Sequence, residues 1–263
     1  MRMFTPLACF VLIAACGSDG GGSQAITEPV TPPPSGATRI GDIQGTGNIS
    51  PMEGQLVTVS GIVTGDFQEN DADTRRNLGG FYMQDGPPDA NPQTSDGIFV
   101  FDGNNPVTDI DVGDVVEVQG TVVEHFGETQ INANSVRVTG TGALVPFPVN
   151  LPANDTTTNS NGDLIADLEH LEGMLVTFPD TLTVTNLRNL ERFGTVTLSE
   201  GGRLYQYSNF NSPDVDGYNA HQNLVARRSI VLDDGRRAEN PSDIHYLEAG
   251  NTAGYSVRAG DSL

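Results

Sequence analysis

Residues 56–64 read LVTVSGIVT, and residues 115–123 read VVEVQGTVV. In each stretch, three valines at even spacing fall on one face of an extended chain, and a glycine occupies the same place between them. A glycine inside a strand usually marks a bulge or a sharp bend. Two long strands with this feature fit a small, strongly coiled barrel. The valines are Val57, Val59 and Val63, then Val116, Val118 and Val122, and the glycines are Gly61 and Gly120.

Three shorter strands are predicted in the same part of the chain, at residues 80–84, 97–101 and 129–138. Clusters of Gly, Asp, Asn and Pro separate the strands, and no amphipathic helix interrupts them. Five short strands in about a hundred residues predict an all-β sandwich or a partly open barrel. The OB-fold is a five-stranded Greek-key barrel of this size, and we assign it to residues 39–150.

The second half of the chain partly repeats the first. Residues 172–177 (EGMLVT) resemble residues 53–58 (EGQLVT), and residues 259–261 (AGD) resemble residues 112–114 (VGD). In the first half the VGD turn leads into the fourth strand, whereas the sequence ends two residues after its counterpart. We therefore predict a second, incomplete OB-like β-domain at residues 151–263. Because a barrel that lacks two strands leaves edges unpaired, we expect a fragment or the front part of a longer product.

The N-terminus resembles the export signal of bacterial lipoproteins. Arg2 precedes an apolar run at residues 7–15, which is too short to span a bilayer. The run leads into Cys16, which stands where the lipobox places the lipidated cysteine. We predict a lipoprotein signal peptide at residues 1–15, lipidation of Cys16, and a Gly-, Ser- and Pro-rich tether at residues 16–38. The alternatives are an ordinary secretory signal cut nearby and a buried helix.

Charge and cysteine content exclude several kinds of chemistry. The 263 residues include 34 acidic and 13 basic residues, and the basic residues are all arginine, so the net charge is −21. Without lysine there is no P-loop lysine and no Schiff-base lysine. A chain with this negative charge repels DNA at long range, so any contact with nucleic acid must be confined to a small part of its surface.

The chain has two cysteines, Cys9 and Cys16. If the first is removed with the signal peptide and the second is lipidated, no thiol remains for a disulfide, a metal site or a nucleophile.

Aromatic and arginine side chains are the candidates for binding nucleic acid. OB-folds bind ligands on the face of strands two and three and with the neighbouring loops. Tyr82 and Phe99 lie on those two strands, where they could stack on bases. Arg75 and Arg76 lie in the loop after the first strand, where they could bind phosphate. The alternative is that the rings belong to the core and that the arginine pair balances nearby aspartates.

The segment DGPPDANPQTSD at residues 85–96 is the best candidate for a metal site. Asp85, Asp89, Asn91 and Asp96 could converge on a calcium ion, which takes six to eight oxygen ligands. The segment does not complete an EF-hand, and a solvated turn is the alternative. We assign no catalytic residue, because the four histidines form no HxH or HxxxH pair and are expected in solvated loops.

Many short motifs follow the order found in one family of secreted proteins. Residues from 40 onward resemble the N-terminal region of secreted bacterial endonucleases of the ExeM/NucH type. In that family an OB module precedes a metal-dependent nuclease domain of the endonuclease/exonuclease/phosphatase class. The motifs that carry the resemblance include IQGTG at residues 43–47, GFYMQD at 80–85, TSDGIFV at 94–100, FGETQI at 126–131 and LSEGGRL at 198–204.

The resemblance implies a function for the chain. It makes the chain the non-catalytic OB-fold region of an extracellular or surface-anchored DNA endonuclease. Phosphodiester hydrolysis would belong to a downstream domain absent from this sequence, which would use Mg²⁺ or Ca²⁺. The implied partners are single-stranded or duplex DNA, the missing nuclease domain and, through the lipid anchor, the outer membrane. The alternative function is a surface lipoprotein that binds a glycan or a protein and has no nuclease role.

Overall fold

The structure is a computed structural model that describes residues 36–68, 77–104, 106–237, 239–241, 244 and 257–262. Its regular structure is mostly β, so the predicted all-β class is confirmed. The predicted signal peptide, Cys16 and almost all of the tether lie outside the described residues, and these assignments stay predictions.

Within these ranges the chain forms twelve strands and three α-helices. The barrel region contains α1 (Ile40–Gln44), β1 (Leu56–Phe67), β2 (Gly80–Gln84), β3 (Gly97–Phe101), β4 (Asp114–His125) and β5 (Glu128–Thr141). The second half contains β6 (Phe147–Pro148), β7 (Thr156–Thr158), β8 (Leu164–Ala166), β9 (Val176–Thr177), β10 (Thr183–Asn186), α2 (Leu190–Phe193), β11 (Val196–Ser199), α3 (Val215–Arg227) and β12 (Ser229–Leu232). Short 3-10 helices lie at Glu169–Leu171 and Tyr207–Asn209.

The first five strands form a closed barrel with the order β1-β2-β3-β5-β4. β1 pairs antiparallel with both β2 and β4, and β4 pairs antiparallel with β5. The fourth strand thus returns beside the first, which is the Greek-key arrangement. β3 runs parallel to β5 and closes the barrel. The count of five strands is the one expected from the sequence, and the finer assignment to the OB-fold stays a prediction.

Alternating apolar residues fill the barrel. The alternating valines named above are buried and belong to one core cluster: Val57, Val59, Val63, Val116, Val118 and Val122. Phe81, Met83 and Ile98 from β2 and β3 complete the same cluster, while Ile40 and Ile43 of α1 cover it and are fully buried. Full burial of one such side chain contributes about 1.5–3 kcal/mol relative to exposure.

The two strand glycines have different roles. At Gly120 the pairing of β4 with β5 shifts register, and a Cβ there would lie 2.4 Å from the Asn132 carbonyl oxygen. The irregularity predicted at this glycine is therefore confirmed. At Gly61 the pairing of β1 with β4 stays regular, and the shift in β1 lies between Val63 and Gly65 instead.

The second half forms smaller sheets. β10, β11 and β12 make a three-stranded antiparallel sheet, while β6 pairs with β9 and β7 pairs with β8. The EGMLVT segment yields only the two-residue strand β9, because Phe178 and Pro179 follow it and proline cannot continue a ladder. Gly260 and Asp261 hydrogen-bond to Val184 in β10. The described residues of this half therefore do not repeat the long strands of the barrel.

α3 is a helix in a region for which the sequence predicted only β-structure and loops. It starts after Asp214, whose carboxylate accepts a hydrogen bond of 2.7 Å from the Gly217 N–H and so caps the helix. His221 consequently lies on a helix, not in the loop expected for it. Among the described residues, no helix is long and apolar enough to cross a membrane.

Candidate functional site

The outer face of β2 and β3 carries an aromatic cluster of Phe67, Tyr82 and Phe99. The Tyr82 ring centroid lies 5.7 Å from that of Phe67 and 4.8 Å from that of Phe99. Edge-on and tilted ring pairs at these distances are favourable. Phe81, one residue along, belongs to the barrel core, as the two-residue period of a strand requires. The aromatic cluster thus occupies the face that OB-folds use for ligands.

The chain itself covers this face. Tyr82 is 3% exposed and Phe99 is 5% exposed. Gly235 packs so closely on Phe67 that a Cβ there would lie 2.5 Å from the ring, and the Arg237 guanidinium lies 5.7 Å from the Phe101 ring centroid. Stacking on a base requires an open ring face. Both rings are buried and offer no open face, so the structure favours the alternative that Tyr82 and Phe99 belong to the core.

Residues 172–175, which we call the junction segment, attach the second half to the barrel. The Thr129 N–H donates a hydrogen bond of 2.9 Å to Glu172 Oε1, and Ser95 Oγ donates one of 2.5 Å to the Glu172 carbonyl. The backbone of Gly173 lies directly on the start of β3. A Cβ on Gly97 would lie only 2.4 Å from the Gly173 carbonyl carbon. Two glycines are therefore needed for this contact between backbones.

Carboxyl groups gather at the junction segment. Burial, together with the neighbouring Glu128 and Glu169, raises the pKa of Glu172 to about 9. Burial also raises the pKa of Glu128 to about 7, although a hydrogen bond of 2.8 Å from Tyr82 Oη favours its charged form. At neutral pH Glu172 is therefore protonated, which suits a packed contact between two parts of one chain.

The loop between β2 and β3 begins with a buried carboxylate. Asp85 is 3% exposed, accepts a hydrogen bond of 3.3 Å from the Ile40 N–H, and lies 3.5 Å from Arg39 Nε. Burial raises the pKa of Asp85 to about 6, although the charge of Arg39 lowers it. Asp85 therefore fixes α1 to the end of the barrel.

The other oxygen ligands predicted in this loop bind its own backbone. Asp96 Oδ1 accepts a hydrogen bond from the Asp89 N–H (3.0 Å), and Asp89 Oδ1 accepts one from the Asn91 N–H (2.6 Å). Asn91 Oδ1 accepts one from the Gln93 N–H (3.2 Å). Among the described residues, no three His, Cys, Asp or Glu side chains form a group that could hold a metal ion. The structure thus does not support the calcium site predicted from Asp85 and these three residues, because their oxygens face donors in the protein.

Two arginines of the second half meet the barrel at the base of the β1–β2 loop. Asn77, just before β2, forms a parallel bridge with Arg236, and its N–H donates to the Gly235 carbonyl over 3.3 Å. Arg237 is exposed and donates a hydrogen bond to the Leu78 carbonyl. We call Arg236 and Arg237 the arginine end of the barrel.

The two phosphate ligands predicted from the sequence, Arg75 and Arg76, come just before β2 in the chain. Arg75 and Arg76 lie outside the described residues, and Arg76 directly precedes Asn77 in the sequence. Their role as phosphate ligands stays a prediction.

Two carboxyl groups directly precede the arginine end in sequence. Burial raises the pKa of Asp233 to about 6, and burial together with the charge of Asp233 raises the pKa of Asp234 to about 7. Near neutral pH, Asp234 is thus only partly ionised.

Sequence reasoning missed both the arginine end and the junction segment. Arginine pairs at residues 75–76 and 236–237 were visible in the sequence. However, the bridge that brings residue 236 to residue 77 joins positions far apart in the chain, and no local pattern reports it. Glu172 was seen only as part of a repeat, since its high pKa depends on neighbours from the barrel.

Comparison of the chain with family models, curated proteins and solved structures finds no match. The resemblance to endonucleases of the ExeM/NucH type therefore rests on the sequence motifs alone.

Proposed function

We propose that the chain is a non-catalytic region of an extracellular or surface-anchored DNA endonuclease, and that it positions nucleic acid for a separate, metal-dependent catalytic domain. The closed five-stranded barrel and the ordered motifs support this proposal. Lipidation of Cys16 would anchor the region at the outer membrane. Mg²⁺ or Ca²⁺ would serve the separate domain.

The observation that carries the proposal is the bridge between Asn77 and Arg236. The loop between the first two strands is one of the places where OB-folds contact oligonucleotides. The bridge adds Arg236 and Arg237 to the base of this loop, whose own residues 75–76 are also arginines. The planar guanidinium of arginine matches phosphate oxygens in a bidentate manner. We therefore place the DNA contact at the arginine end and not on the buried aromatic cluster.

The acidic surface sets the strength of this contact. With a net charge of −21, the chain as a whole repels DNA, so binding requires low salt and few phosphates. The test is titration of the purified chain with fluorescent single-stranded and duplex oligonucleotides at several salt concentrations. We expect Arg236→Gln with Arg237→Gln to weaken binding and to lower the slope of log K against log salt by about 1–2.

The matched control is Arg188→Gln with Arg258→Gln, because both arginines are exposed and neither belongs to the arginine end. It removes the same total charge and should lower affinity only slightly, through the general field. Thermal melting should show that both double variants fold. Absence of DNA binding at low salt, or an equal loss in the control, would contradict the proposal.

The non-catalytic role has its own test. The purified chain incubated with Mg²⁺ or Ca²⁺ should leave supercoiled plasmid intact, since the hydrolysis is assigned to a separate domain. Nicking that co-purifies with the chain and depends on a divalent metal would contradict the assignment.

A further inference from the structure

An open cleft of about 970 Å³ lies between the 3-10 helix at Tyr207–Asn209 and the first turns of α3. It is on the second half and is separate from the arginine end. Clefts of this volume are large enough for ligands of several hundred daltons. Its lining includes Tyr207, Tyr218, Asn211, Gln222, Asp214 and Asp216.

Two tyrosine rings form the aromatic part of the wall. Their centroids are 6.2 Å apart with the ring planes at 85°, and the Tyr207 ring also lies 5.7 Å from that of His221. Tyr207 packs over the helix at Gly217, where a Cβ would lie 2.3 Å from Tyr207 Oη. Asn211 Nδ2 donates a hydrogen bond of 3.0 Å to the Tyr207 carbonyl. These contacts hold Tyr207 in place before any ligand arrives.

The polar part of the wall contains amides and carboxylates without a basic residue. Asp214 already accepts the capping bond from Gly217, whereas Asp216 is exposed in the first turn of α3. Two carboxylates and no cation disfavour phosphate and other anions. Amides such as Gln222 both donate and accept hydrogen bonds, and carboxylates accept them. Such a wall matches a ligand that is neutral and rich in hydroxyl groups.

We infer that this cleft binds a neutral saccharide. Tyr218, which is 49% exposed, offers a ring face to the C–H groups of a sugar ring, while Asp216 and Gln222 hydrogen-bond to its hydroxyls. A cationic ligand would also satisfy the rings and carboxylates. However, it would leave the amide groups without a role. The activity goes beyond the proposed positioning of DNA, and neither requires the other.

The test is isothermal titration of the full chain with four neutral hexasaccharides: those of cellulose, starch, chitin and β-mannan. We expect at least one to bind, and Tyr218→Ala to raise its Kd about tenfold. Phe126→Ala is the matched control, because Phe126 is an exposed aromatic residue on the β4–β5 turn of the barrel. This variant should bind the sugar as the natural chain does.

A second variant guards against loss of folding. Gln222→Ala replaces an exposed residue on α3 with a better helix former, so the melting temperature should not fall. Its Kd for the same sugar should nevertheless rise severalfold. Absence of binding to all four sugars, in the titration and in a parallel ligand-observed NMR measurement at millimolar sugar, would overturn the inference. It would also be overturned if tetramethylammonium bound in their place, or if both cleft variants bound sugar like Phe126→Ala.

Discussion

Glu53 and Glu172 are the first residues of the two related segments EGQLVT (53–58) and EGMLVT (172–177), but their surroundings differ. Glu53 is exposed beside the start of β1. Glu172, in the junction segment, instead lies next to Glu128 and Glu169, and its carboxyl accepts a hydrogen bond from the Thr129 N–H of β5. One motif therefore supplies a solvated acid at one position and a protonated, partly buried acid at the other.

We predict that replacing Glu172 by Gln stabilises the chain at alkaline pH. The folded pKa of about 9 exceeds the ordinary value of 4.5, so between these values the folded chain holds a proton that the unfolded chain has lost. The natural chain therefore loses stability as pH rises through this window. The amide oxygen of Gln keeps the hydrogen bond from Thr129 and never ionises. At pH 8 the melting temperature of Glu172→Gln should exceed that of the natural chain by roughly 2–4 °C.

At about pH 4, where the carboxyl is protonated in both states, the two melting temperatures should coincide. Glu53→Gln is the control, and it should change little at either pH because Glu53 is exposed. A Glu172→Gln variant with the same difference at both pH values would show that ionisation of this group is not the cause.

Among the elements, strands were easier to predict than helices. β2 and β3 have the predicted bounds, and β1, β4 and β5 extend beyond the predicted ones by a few residues. Their apolar residues alternate, which is a local signal. α3 gives no such signal, because its sequence VDGYNAHQNLVAR contains Gly, Asn and Asp and only Ala226 is buried. Asp214 was the available clue, since it stands where an N-cap is favoured.

The site was less predictable than the fold. The alternation of residues placed Tyr82 and Phe99 on the outer face of the barrel, as the structure shows. Which part of the chain covers that face depends on contacts made by Gly235 and Arg237, far along the sequence. Contacts between residues so far apart leave no periodic pattern and no motif in the sequence. The burial of the Tyr82 and Phe99 rings could therefore not be predicted from it.

We predict that Gly97→Ala destabilises the chain by about 1–3 kcal/mol, because the new methyl group would clash with the Gly173 backbone at the start of β3. Gly140→Ala in β5 is the matched control, since nothing lies within 4 Å of its added Cβ. It should be neutral or slightly stabilising. The measurement is urea unfolding of both variants beside the natural chain. Equal free energies of unfolding for the two variants would contradict the close backbone contact.

At the scale of the whole molecule, the second half protects the barrel's aromatic face. Residues 235–237 pack on Phe67 and Phe101, and the junction segment packs on the strand ends. We therefore expect a barrel made from residues 36–150 alone to expose the aromatic cluster. It should bind the dye ANS and melt at a lower temperature than the full chain. A barrel fragment that matches the full chain in both measurements would show that the cover contributes no stability.

The closed barrel also governs how quickly the chain reaches its native state. Leu56 of β1 pairs with Thr121 of β4, so the first strand cannot finish its hydrogen bonding until the fourth has been made. Phe99 of β3 likewise pairs with Gln130 of β5. Domains dominated by such pairings between distant residues have high contact order and fold in about milliseconds to seconds, slower than helical bundles. During synthesis, the hydrogen bonds between β1 and β4 therefore cannot form until β4 has been made. Refolding of the barrel should show one slow cooperative phase.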